Sequence, residues 1–104
     1  MAVLLAAAAP HAHALTCTEV NVYMGGCESY LTNKGLLGDC CSGVKQLDAA
    51  VTTTVDRQTA CTCLKADAAT LPGFDWTKAA LLPLTCGVSI PYIISAELAC
   101  STIQ

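Results

Sequence analysis

The sequence predicts an all-α fold, a four-helix disulfide-stapled bundle with an extended C-terminal tail, whose stapled interior permits an apolar cavity. Three observations carry this reading. Eight cysteines fall within 104 residues, a density at which covalent staples stand in for a large core in small oxidised domains. Apolar side chains recur at three- and four-residue steps in four segments separated by Gly, Pro and Thr clusters, the period of amphipathic helices. The apolar fraction is 54%, yet only 5% of residues are aromatic. The interior is therefore built of Ala, Leu, Val and Ile without large rigid fillers, and staples relax the need to fill it. The length supports one domain.

Taken in order, Thr16 with Glu19 fits a capping box, with Cys17 just inside the first helix. Val20, Tyr23, Met24, Cys27, Tyr30 and Leu31 follow at helical spacing, and Asn33-Lys34-Gly35 and Gly38 form the next loop. Asp39 is a suitable N-cap for a second helix carrying Cys40, Cys41, Val44, Leu47 and Val51. The β-branched run Thr52 to Thr54 interrupts the pattern, and Thr53 with Asp56 offers the next cap. A third helix carries Val55, Cys61, Leu64 and Ala68 and stops before Leu71-Pro72-Gly73. Asp75 caps a short fourth helix predicted to run through Leu82 and to end at Pro83. In the tail, Pro91 favours extended backbone, and Ile90, Tyr92 and Ile94 then share one side.

Residues 1–14 differ from the rest. They contain no Asp, Glu, Lys, Arg or Cys, carry the apolar run Val3 to Ala9, and end in Ala12-His13-Ala14. This pattern reads as a secretory signal peptide cut after Ala14, leaving a domain of residues 15–104. The positively charged start usual in such segments is missing, which reads as a truncated start. A membrane span is not expected, since it needs about 20 apolar residues. Both histidines, His11 and His13, lie in the removed piece. The mature chain then has none, which excludes Ser-His-Asp, Cys-His and His-metal chemistry.

The net charge is −3 with five basic residues and no basic cluster, which excludes the phosphate-neutralising surface of a nucleic-acid binder. No carboxylate pair is spaced for acid–base work. No enzymatic activity, cofactor or metal is expected.

The cysteines are Cys17, Cys27, Cys40, Cys41, Cys61, Cys63, Cys86 and Cys100. There is no C-x-x-C knuckle of the metal-binding kind, and an even count in a secreted chain reads as disulfides. Adjacent Cα atoms lie about 3.8 Å apart, below the usual bridging distance, so Cys40 and Cys41 take different partners. Two helical steps rotate by about 200°, so Cys61 and Cys63 do the same. Each doublet then ties one helix to two other segments.

The spacing C-x9-C-x12-CC-x19-C-x-C-x22-C-x13-C resembles the eight-cysteine pattern of plant non-specific lipid-transfer proteins, type 1. Asp56-Arg57-Gln58 with Ala60-Cys61-Thr62-Cys63-Leu64-Lys65 is similar to that family's DRQxACxCLK stretch, and Cys86-Gly87-Val88-Ser89-Ile90-Pro91-Tyr92 to its CGVxIPY stretch. Cys27 to Leu31 is similar to the end of its first helix. The polar Thr62 inside C-x-C resembles type 1 rather than type 2. The resemblance implies four helices and a tail around a tunnel-like cavity, and the pairing Cys17–Cys63, Cys27–Cys40, Cys41–Cys86 and Cys61–Cys100. It implies fatty acids, lysolipids and phospholipids as ligands, exchanged in transient membrane contacts by a monomeric carrier. It places that carrier outside the cell, in the cell wall or apoplast, with roles in cuticle or wax deposition or in defence. The family includes food and pollen allergens. The pI of about 5.0 departs from most type 1 members, which are basic, and argues against attack on anionic membranes.

On the same resemblance, Arg57 and Tyr92 are the polar pair at the ligand head group. Arg57 would donate to a carboxylate or phosphate, and Asp56 is read as a cap and a partner to Arg57. By periodicity alone, Met24, Val44, Leu47, Leu64, Ala68, Leu71, Leu82, Ile90 and Ile94 are ordinary core. The resemblance makes them cavity lining, Val44, Ala68, Leu82, Ile90 and Ile94 above all. Trp76 is read as packing, with no ligand role. The alternative function is a protease or α-amylase inhibitor on a related helical scaffold, which would need an exposed inhibitory loop that Asn33 to Asp39 does not suggest. A storage protein would be richer in Gln, and a hydrophobin-like coat protein would carry two Cys-Cys doublets.

Overall fold

The computed structural model describes residues 14–104, so the expected signal peptide up to His13, with both histidines, lies outside the described residues. The first rod is α1 (Cys17–Met24), a 3-10 turn (Gly25–Cys27) and α2 (Glu28–Leu31). Thr16 and Glu19 form the capping box, with Glu19 N–H donating to Thr16 Oγ1 at 3.2 Å and Thr16 N–H to Glu19 Oε1 at 2.9 Å. Gly25 and Gly26 weaken helical order and tighten the turn, but the backbone stays right-handed throughout. The rod thus counts as the first of four helices. The others are α3 (Cys40–Ala50), α4 (Thr54–Thr70) and α5 (Trp76–Thr85), followed by a tail whose one regular piece is a 3-10 turn at Cys100–Thr102. There is no strand among the described residues.

Two caps are as read from the sequence: Thr53 accepts from Asp56 N–H and Asp75 from Lys78 N–H, both at 3.0 Å. Asp39 is not. It occupies the N-cap position of α3 but its side chain accepts no capping bond, because its backbone is already in a turn-like rather than extended conformation. Nor does Pro83 end α5. The helix runs on to Thr85 with Pro83 inside, and what terminates it is Gly87, at φ 74°. Val88 N–H bonds Pro83 C=O at 2.8 Å and Gly87 N–H bonds Leu84 C=O at 3.1 Å, the paired closure of a Schellman motif, which favours glycine at that position. Val55, placed on the inner face by periodicity, is 64% exposed, since in this first turn of α4 it is the neighbouring Asp56 that turns inward.

Four disulfides join Cys17–Cys63, Cys27–Cys40, Cys41–Cys86 and Cys61–Cys100. Each cysteine doublet therefore splits between two segments. The buried side chains form two small clusters rather than one core. Leu31, Val44, Ala79 and Leu82 gather with Cys27, Cys40 and Cys86, while Leu15, Val20, Leu47, Ala60 and Cys63 form the other. Met24 packs against both.

The tail is strapped to one face of α4. Arg57 Nε donates to the main-chain oxygen of Gln104 at 2.7 Å, Gln58 Nε2 to Ile103 C=O at 2.9 Å, and Lys65 Nζ to Leu98 C=O at 2.8 Å. Together with the Cys61–Cys100 bridge, these contacts follow successive turns of α4. At the other end of the chain, the buried Asp56 accepts from Leu15 N–H at 3.3 Å, from Thr52 N–H at 3.2 Å and from the Thr52 hydroxyl at 3.3 Å. It is thus a partner of the chain's N-terminal arm and not of Arg57.

Two predictions follow from this packing. Where α3 crosses α1, a Cβ on Gly43 would overlap the Tyr23 carbonyl oxygen, so Gly43→Ala must push two helix backbones apart. The expected cost is about 1–3 kcal/mol, read as a lower denaturation midpoint in the oxidised protein. The Thr52 N–H above all, then the Leu15 N–H, hold the Asp56 carboxyl below its ordinary value, while burial opposes them. A carboxyl depressed in the folded state adds stability that is full above its unfolded pKa of about 3.9 and is lost as pH falls through the lower folded value. Asp56→Asn is therefore expected to lower the melting temperature at pH 7 and to flatten its decline between about pH 5 and pH 2. An acid limb as steep as that of the wild type would refute this assignment.

Candidate functional site

Between the two clusters lies a cavity of about 560 Å³, within the size range of small-molecule sites. Every helix and the tail contribute to its wall. Met24 comes from α1 and Leu31 from α2; Val44 and Leu47 come from α3, with Val51 just beyond its end. On α4 the spacing Arg57, Ala60, Leu64, Ala68, continued by Leu71 just past its end, turns a stripe inward, and α5 adds Trp76, Ala79 and Leu82 at three-residue steps. The tail supplies Val88, Ile90, Tyr92, Ile94 and Leu98. Its alternation is as the sequence indicates: Ile90, Tyr92 and Ile94 are half-buried on the cavity side, while Ile93 between them is 79% exposed.

All nine apolar lining candidates, together with Arg57 and Tyr92, thus stand on one wall. The sequence reading missed several companions. Ala60 and Val51 continue stripes already noted on α4 and α3 and were legible from them. Trp76 packs against the first cluster, as read, and also forms part of the cavity wall, edge-on to Phe74 with ring centroids 4.9 Å apart. No local pattern reveals this, because the N-terminus of α5 meets the cavity only through the Leu71–Asp75 turn, where Asp75 N–H bonds back to Leu31 C=O at 2.7 Å.

Of the lining residues, Asp48 and Gln104 are exposed and stand with the half-buried Arg57 and Tyr92, while Asn21, Glu28, Ser89 and Pro91 are exposed lining residues as well. Arg57 is held in place by Gln104 and by Thr54 Oγ1, the latter at 3.1 Å from Nη2. Two of its five N–H donors are so occupied, and the others remain for a ligand. The Tyr92 hydroxyl has no protein partner among the described residues. Burial raises its pKa, partly offset by the Arg57 charge and reinforced by that of Asp48, so it is a protonated donor at neutral pH. The site can therefore desolvate a long apolar body and offer hydrogen-bond donors to an oxygen-rich end. Among the described residues no group of three His, Cys, Asp or Glu side chains is placed to hold a metal ion, and no helix is long and apolar enough to cross a membrane.

Comparison with known proteins agrees with this geometry. Residues 17–100 match the Protease inhibitor/seed storage/LTP family. The non-specific lipid-transfer protein 2 of Solanum pennellii is 56% identical over 96 residues, which cover 92% of this chain and 84% of that protein. Among solved structures, non-specific lipid transfer protein 1 from barley, in complex with a lysophosphatidylcholine, superposes with a TM-score of 0.82 at 37% identity, covering 86% of this chain and 100% of that one. The wheat non-specific transfer protein complexed with two molecules of phospholipid gives a TM-score of 0.79 at 37% identity with the same coverage.

Proposed function

This chain belongs to the plant non-specific lipid-transfer proteins of type 1, and on that premise we propose that its cavity takes up an acyl lipid with the head group at the Arg57–Tyr92 mouth. The protein is a carrier of phospholipids and lysolipids, and not an enzyme. The observation that carries the proposal is a mainly apolar cavity between two separate buried clusters, on whose wall a guanidinium and a phenol without a protein partner among the described residues stand together.

Burial of an acyl chain is favourable by about 0.8 kcal/mol per methylene, so a long chain gains on the order of 10 kcal/mol before ordering costs. Almost none of that gain depends on the head group, which accounts for loose specificity. Fatty acids then bind as well as lysolipids and phospholipids, and a monomer in transient contact with a membrane suffices for exchange. Arg57 offers charge-assisted hydrogen bonds to a carboxylate or phosphate, and Tyr92 adds a neutral donor to the same group. Ala68, buried on the α4 stripe, is where added bulk blocks the chain without touching the mouth.

Secretion to the cell wall or apoplast, after cleavage following Ala14, belongs to the same reading. Leu15 is buried at 8% exposure while Ala14 is exposed. Cleavage there would make the Leu15 nitrogen an ammonium 3.3 Å from Asp56 Oδ1, turning a neutral-donor hydrogen bond into a charge-assisted one.

Two measurements test these statements. Displacement of a fluorescent fatty-acid probe from oxidised protein of residues 15–104 is expected to be saturable and one-site for several acyl lipids. Arg57→Ala should weaken charged-head lipids several-fold, whereas Ala68→Phe should weaken all of them while helical circular dichroism persists. Absence of saturable displacement from correctly oxidised protein would overturn the carrier reading. Mass spectrometry of the protein secreted from plant cells should give Leu15 as the first residue, and any other start would refute the cleavage assignment.

A further inference from the structure

Asp48 stands on α3 one turn beyond Val44 and lines the same cavity as Arg57, Tyr92 and Gln104, close enough to Tyr92 for its charge to act there together with that of Arg57. Its carboxylate is exposed and has no hydrogen-bond or ion-pair partner among the described residues. The nearby guanidinium does not neutralise it, because Arg57 is turned onto Gln104 and Thr54 instead. One cation and one anion therefore face the same mouth without being paired to each other. Both lie within electrostatic reach of a single hydroxyl, that of Tyr92, on which they act in opposite directions.

Such an arrangement discriminates between head groups. A purely anionic group satisfied by Arg57 and Tyr92 is brought close to a carboxylate that repels it. A head group that carries an ammonium beyond its phosphate meets attraction from both charges. We infer that Asp48 is a specificity-determining residue, making the mouth selective for zwitterionic phosphate–ammonium head groups over anionic ones on the same acyl chain. This rests on the carrier reading above and adds a head-group class to it. The chain itself still binds through the apolar wall, so Asp48 shifts preference and leaves capacity unchanged.

The test is calorimetric titration of oxidised protein with two lysolipids of one acyl chain, bearing phosphocholine or phosphoglycerol, beside an uncharged monoacylglycerol of that chain. The wild type should favour phosphocholine. Asp48→Asn should reduce that preference by about two- to fivefold, the effect of one exposed charge interaction, chiefly by tightening the phosphoglycerol lipid. Added salt should narrow the wild-type preference. Asp39→Asn removes the same charge from an exposed carboxylate that is not on the cavity wall, and should leave the preference intact. An unchanged preference in Asp48→Asn, or an equal change in Asp39→Asn, would overturn the inference. Equal monoacylglycerol affinity in wild type and Asp48→Asn supports it by showing the cavity undisturbed. If the wild type binds none of the three lipids, the carrier reading fails and this inference with it. If it binds all three without preference, only this inference fails.

Discussion

The structure depends on four disulfides that hold a shell of helices around a space they do not fill. Unfilled volume costs on the order of 24 cal/mol per Å³ in a protein interior, so a cavity of about 560 Å³ is comparable to the whole net stability of an ordinary domain. The bridges close loops with sequence separations of 46, 13, 45 and 39 residues. Each of that length contributes about 3–4 kcal/mol by restricting the unfolded chain. Stability is thereby drawn from the unfolded state rather than from a filled core. That is why two small buried clusters suffice, and why the region between them can remain free for a ligand.

The splitting of the doublets gives this scheme its geometry. Cys40 faces the first rod through Cys27, while Cys41 reaches the end of α5 through Cys86. Cys63 ties α4 to the start of α1, and Cys61 ties it to the tail. Each of α3 and α4 is thus pulled toward two neighbours at once, which spaces helices as well as joining them. Gly43 marks the opposite condition, a place where two helices touch backbone to backbone. Close contact at that crossing and separation across the cavity are complementary parts of one frame.

The tail turns the frame into a site. Lacking a ladder or a helix to satisfy its backbone, it borrows donors from α4: Arg57, Gln58 and Lys65 each bond a tail carbonyl. The strap that closes the cavity and the mouth that opens it therefore share a residue. Arg57 keeps Gln104 in place and still presents donors beside Tyr92, so in the proposed carrier head-group contact and tail position would be coupled through one guanidinium.

Much of this was legible in the sequence because it is periodic or local. Helical stripes marked Met24, Val44, Leu47, Leu64, Ala68 and Leu82 as inward-facing, and it was the family resemblance that made them, with Leu71, Ile90 and Ile94, cavity lining; the alternation around Pro91 turned Ile90, Tyr92 and Ile94 to one side, and the Thr16, Thr53 and Asp75 caps were readable from side-chain chemistry. The family resemblance carried by the cysteine spacing implied the disulfide pairing that the structure contains. The misreadings arose where a distant partner decides. Pro83 sits inside α5 because Gly87, four residues on, supplies the left-handed closure. Asp56 does not pair with its neighbour Arg57 because its carboxylate is taken up by the Thr52 N–H and hydroxyl and by the N–H of Leu15, 41 residues earlier. Asp48 meets Arg57 and Tyr92 only once α3, α4 and the tail are assembled. The sequence by itself thus determined the helices, the presence of staples and the apolar faces, since these follow from spacing and composition. Only the tertiary structure decided which charges share the mouth, since that depends on where three separate segments come to rest.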